Sequence, residues 1–137
     1  MGIFDIFRKK DVGEGPAKGV PFSLRARFSP IRMSLKDGVV DLHITLKNLM
    51  GENVMTSVVV EVPKGLGFDA TGLSNTREIR LGYLREKEER ELVVPIHGSV
   101  VKTPPGEYNV TITAYAHYRD YAHILNSVRK TVSLRVI

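Results

Sequence analysis

Lys102-Thr103-Pro104-Pro105-Gly106-Glu107-Tyr108-Asn109-Val110-Thr111-Ile112-Thr113-Ala114 reads as a turn feeding a strand. Two prolines and a glycine force a corner, because proline fixes one backbone dihedral and glycine tolerates conformations other residues avoid. Beyond it, Tyr108, Val110, Ile112 and Ala114 fall on one face of a period-two run, with Asn109, Thr111 and Thr113 on the other. Such alternation predicts an antiparallel sheet with one face in a core and one in water.

The same signature repeats on either side. Phe22, Leu24, Ala26 and Phe28 alternate with Ser23, Arg25 and Arg27; Pro30 interrupts, and Ile31, Met33 and Leu35 resume. This predicts a first strand broken in two, at an edge or switching between sheets. Lys36-Asp37-Gly38 turns the chain into a strand with Val40, Leu42, Ile44 and Leu46 inward. Asn48 to Asn53 is a loop, and Thr56, Val58, Val60 and Val62 line the next strand until Pro63-Lys64-Gly65. Leu66 to Asn75 has no strict period and suits a sheet-crossing connection. Arg77 to Leu84 and Leu92 to Ile96 supply two more strands around a charged return, and a last strand spans roughly Val128 to Val136. Counting the broken strand once gives seven, and no helix of ordinary length competes.

A chain of 137 residues, 42% hydrophobic and 26% charged, suits a single globular domain. It has no cysteine, so neither a disulfide framework nor a thiolate metal site is expected. The absence of Gln as well, with abundant Lys, Arg and Glu, suits a heat-adapted source. No run approaches the ~20 apolar residues of a membrane-spanning helix, and no secretory signal pattern opens the chain, so a cytoplasmic location is the expectation. The formal net charge is +5, but the basic residues are spread along the chain instead of forming one stripe. Arg25, Arg27, Arg119, Arg129, Lys130 and Arg135, with Tyr115, Tyr118 and Tyr121 for stacking, make too diffuse a set to expect nucleic-acid binding.

Residues 1–19 read as a flexible tail and linker, and residues 20–137 as the domain. In the tail, Ile3, Phe4, Ile6 and Phe7 stand against Asp5, Arg8, Lys9 and Lys10; as a helix this would be a short apolar face ending in a basic cluster. The segment therefore suggests peripheral attachment to an anionic membrane surface as an alternative role.

A tyrosine placed just after the corner, two residues before an inward strand position, resembles the tyrosine corner of immunoglobulin-like sandwiches. Val110 stands where antibody domains carry cysteine, so apolar packing replaces their inter-sheet disulfide. Leu46-Lys47-Asn48, Val58 to Pro63 with Gly65-Leu66, Leu81-Gly82-Tyr83-Leu84 and Pro105-Gly106-Glu107-Tyr108 occur in the order found in CARDB and NEW3-type modules, which the chain resembles. The resemblance implies an immunoglobulin-like, seven-stranded antiparallel Greek-key β-sandwich serving in adhesion or as an accessory binding module. It carries over no catalytic residue.

The remaining polar and apolar clusters bear on three roles. His117, Asp120 and His123 are metal-ligand types, but their spacing matches no metal motif, so neither metal nor cofactor is expected. The four histidines, at 43, 97, 117 and 123, are scattered over different strands; no nucleophile–base pair or glycine-rich phosphate loop is evident, and a non-enzymatic protein without a small-molecule substrate is expected. A protein interface is the strongest candidate. In an immunoglobulin-like sandwich the loop after the second strand and the loop before the last share one end. That places Leu49, Met50 and Met55 near Tyr118, Tyr121, Ile124 and Leu125, a set rich in interface-type residues. The expected role is an interaction module that binds a protein, or a second copy of itself, through this loop end or an edge strand.

Overall fold

Eight strands form two sheets in the computed structural model, which describes residues 20–137. The strands are β1 (Phe22–Ser29), β2 (Arg32–Met33), β3 (Val39–Asn48), β4 (Val54–Glu61), β5 (Thr76–Leu84), β6 (Glu89–His97), β7 (Gly106–His117) and β8 (Ile124–Val136). A three-stranded sheet runs β1-β3-β6 and a five-stranded sheet runs β2-β8-β7-β4-β5. No helix occurs among the described residues. The expected count of seven becomes eight because the two halves of the first strand belong to different sheets. Pro30 marks the switch: β1 pairs antiparallel with β3, whereas β2 pairs parallel with β8. The tail residues 1–19 lie outside the described residues.

Alternation places the core as the sequence suggests. Leu42, Ile44, Leu46, Val58, Val60, Val94, Ile96, Val110, Ile112, Ala114 and Leu134 are fully buried between the sheets. Burying a side chain such as Val110 contributes roughly 1.5–3 kcal/mol, the scale of the disulfide that antibody domains place between their sheets. β8 begins at Ile124, four residues before the expected Val128. Its hairpin with β7 closes around a tight loop, so Ile124 and Leu125 stand on a strand end and not in the loop.

One fully buried polar side chain organises each end. At the end holding the corner, Thr103 donates from Oγ1 to the Gly65 carbonyl at 2.5 Å and accepts the Ser99 N–H at 2.9 Å. Beside it the Tyr108 hydroxyl donates to the Pro104 carbonyl, as a tyrosine corner requires, although Tyr108 is only partly buried. At the opposite end Asn48 donates from Nδ2 to the carbonyls of Glu52 (2.9 Å), Leu84 (3.1 Å) and Arg85 (3.0 Å), and its Oδ1 accepts the Met50 N–H at 2.8 Å. Asn48 thereby ties the loop after β3 to the turn between β5 and β6, satisfying backbone groups that burial would otherwise orphan.

Candidate functional site

At the Asn48 end, two rows cross the outer face of the five-stranded sheet. Cross-strand partners share a face, so the ladder sets Tyr83, Met55, His117 and Ile124 side by side on β5, β4, β7 and β8. The next row is Arg80, Ser57, Tyr115 and Ser127. Between the rows the Ser57 hydroxyl meets His117 Nε2 at 2.7 Å, with the two residues only 1% and 6% exposed. Outer-face positions of a two-sheet sandwich are ordinarily wet, and here the loop between β7 and β8 supplies the cover.

Tyr121 is that cover. Its ring stands edge-on to His117 with centroids 5.0 Å apart, and its hydroxyl accepts the Gly82 N–H at 2.9 Å. The Arg80 guanidinium carbon lies 4.6 Å from the same ring centroid, a cation–π distance. Gly82, at φ 72°, sits where the β4–β5 register shifts, and this left-handed conformation suits glycine. Beneath Tyr121, the buried Ser57–His117 pair supports the roof. The second ring nitrogen of His117, Nδ1, has no hydrogen-bond partner among the described residues.

The rest of the loop is clasped by short contacts. Asp120 Oδ1 meets His123 Nδ1 at 2.7 Å and accepts the Ala122 N–H at 2.9 Å, while the Tyr118 N–H donates to the His123 carbonyl. The His123 hydrogen bond is the main cause holding the Asp120 carboxyl below the usual range. His117, turned to Ser57, does not join Asp120 and His123. Among the described residues no group of three or more His, Cys, Asp or Glu is placed to hold a metal ion.

The structure brings most of the expected interface set to one end and divides it by exposure. Leu49, Tyr118, Ile124 and Leu125 are each about half exposed, and Met55 stands in the outer row. Met50 packs against the core and Tyr121 forms the roof, so these two shape the surface more than they present it. Tyr83, 59% exposed beside Met55, belongs to the set although the sequence reading left it out. Its only sequence signal is that it stands one residue beyond the bulge glycine. The basic residues do not converge: Arg25 and Arg27 lie on β1 of the three-stranded sheet, whereas Arg129, Lys130 and Arg135 lie on β8 of the other. The expected membrane-facing residues Ile3, Phe4, Ile6, Phe7, Arg8, Lys9 and Lys10 lie outside the described residues.

No protein-family model and no curated protein matches the sequence. Among solved structures, the chain is similar to the Pseudomonas fluorescens alkylpurine DNA glycosylase AlkC bound to DNA containing an abasic site analog. The TM-score is 0.55 at 14% identity, over 86% of this chain but only 31% of that one. It is also similar to a Pyrococcus furiosus CARDB domain solved in complex with di-metal ions, with a TM-score of 0.50 at 16% identity over 85% of both chains. At such identities the likeness concerns the fold. The resemblance to CARDB domains inferred from the sequence thus holds at the level of an immunoglobulin-like, all-β sandwich of two sheets.

Proposed function

We propose that this chain is a non-enzymatic interaction module that takes a protein partner on the Asn48 end and the tyrosine-roofed corner of the outer face. The observation that carries the proposal is the gathering of Tyr83, Met55, Ile124, Leu125 and Tyr118 at the corner that Tyr121 roofs, on strand ends and a clasped loop, with Leu49 exposed at the same end. Tyrosine, methionine and arginine are the residue types enriched at interfaces, and rigid presentation lowers the entropy lost on binding. A photo-crosslinker at position 118 or 125 should capture a protein in native cell extract. The same probe at Val101, at the opposite end, should not, and Ile124→Asp/Leu125→Asp should abolish the capture. Equal capture from both ends would refute the reading.

A second reading, attachment to an anionic membrane through Ile3 to Lys10, draws on one observation. The Leu49 N–H donates to the Pro21 carbonyl at 2.9 Å, so Pro21 lies at this same end. Vesicle flotation tests it. The full chain should float with anionic vesicles in low salt and a chain lacking residues 1–19 should not; equal recovery of both ends this reading.

A further inference from the structure

Among the described residues the two sheets have four edge strands, β1 and β6 on one and β2 and β5 on the other. An edge offers unpaired backbone groups to any strand that approaches, and proteins manage that hazard with charge, proline, short length or cover. β2 has only two residues. β6 carries Pro95, and its end is already engaged by Gly67, which exchanges two backbone hydrogen bonds with His97 at 2.8 and 3.0 Å. β1 has neither device. Paired with itself antiparallel about Ala26, however, it would set Arg25 opposite Arg27 of the second copy, and like charges directly opposite are destabilising.

β5 differs. It has nine residues, Thr76-Arg77-Glu78-Ile79-Arg80-Leu81-Gly82-Tyr83-Leu84, and no proline. A two-fold antiparallel pairing centred on Ile79 sets Glu78 opposite Arg80 of the second copy and Arg80 opposite its Glu78, two reciprocal attractive contacts on the outer face. Shifting the centre by one residue gives Glu78 against Glu78, or Arg80 against Arg80. Charge therefore selects one register of self-pairing and opposes its neighbours, the combination that separates a specific edge from a sticky one. Within one chain Arg80 Nε and Glu78 Oε2 are 3.4 Å apart and both side chains are about half exposed. Exchanging so exposed a pair for its intermolecular equivalent loses little.

We propose that β5 is the seam through which two copies of this chain pair, joining their five-stranded sheets across a two-fold axis at Ile79. This deepens the interaction-module reading by naming an edge and a partner, and of its two charged residues only Arg80, which also packs on Tyr121, borders the Asn48-end surface. Sedimentation velocity of the full chain over rising concentration tests it, with circular dichroism to verify folding. The wild type should show a monomer–dimer equilibrium. Glu78→Arg and Arg80→Glu should each weaken the dimer about tenfold or more, since each sets like charges opposite at both symmetry-related contacts. Mixed in equal amounts, these two variants should recover the dimer, because only the mixed pair restores both attractions, while the like-charged 78–80 pair within each chain is unchanged by mixing. A wild type that stays monomeric at the highest concentration overturns the proposal, as does a mixture that associates no better than its components. Should Arg80→Glu fail to fold because its contact with Tyr121 is lost, Glu78→Arg decides alone: dimerisation equal to wild type overturns the seam. Ile124→Asp/Leu125→Asp should leave the dimer intact while losing crosslinked partner, so the two readings fail independently.

Discussion

The two ends of the sandwich are built alike and dressed differently. Each hangs on one fully buried polar side chain, Asn48 at one end and Thr103 at the other, and each leaves large apolar side chains in water. At the Thr103 end the exposed residues are aliphatic: Ile31, Leu73, Val100, Val101 and Ile137, with Val101 90% and Leu73 81% exposed. At the Asn48 end they include Tyr83 and Tyr118, with Tyr121, Met55 and Arg80 packed among them. Exposure alone would favour the Thr103 end. Composition and support favour the other, where Tyr83 stands on a paired strand and Tyr118 and Tyr121 on a loop clasped by hydrogen bonds. A surface is a better binding candidate when its groups are both amphipathic and held in place.

If Asn48 is the more heavily engaged hub, removing it should cost more. Asn48→Ala strands three carbonyls and one N–H in or beside the core and should lower stability in urea unfolding by about 3 kcal/mol. Thr103→Val keeps the shape but leaves the Gly65 carbonyl and the Ser99 N–H without their partner, at a cost of about 2 kcal/mol. Equal losses, or the reverse order, would break the comparison. Tyr108→Phe sharpens it with the smallest effect. Losing the hydroxyl bond to the partly exposed Pro104 carbonyl should cost about 1 kcal/mol, measured by the same unfolding, and no change would show that Thr103 holds that end by itself.

Much of the fold was legible because strand alternation is local. The period-two runs at Val40 to Leu46, Val58 to Val62, Leu92 to Ile96 and Tyr108 to Ala114 each announce their own inner face, and Pro30 and Pro104-Pro105 announce a break and a corner. The site was legible only in outline. Ser57 reads as a solvent position on its strand, and its burial depends on His117, 60 residues away, and on a loop folding back over both. Asn48 looks like a strand terminator. Its role is fixed by carbonyls at Leu84 and Arg85, which are 36 and 37 residues distant. Val100 and Val101 just before the corner are exposed, and no local pattern tells an exposed valine from a buried one when alternation is absent. Tyr121 was placed in the interface set, but its turn inward follows from the Gly82 bulge, which frees an N–H for its hydroxyl.

The parallel pairing of β2 with β8 has a mechanical consequence. Every other named strand pair is antiparallel and can open one rung at a time when its ends are drawn apart. Tension applied between residues 20 and 137 instead pulls β2 and β8 past one another lengthwise. The Arg32–Arg135 and Met33–Val136 rungs, together with the Ile137 N–H donated to the Met33 carbonyl at 3.0 Å, then strain together in shear. The domain has a small clasp set across the line of pull, and it resists stretching along the chain more than a hairpin of the same length peeled from one end.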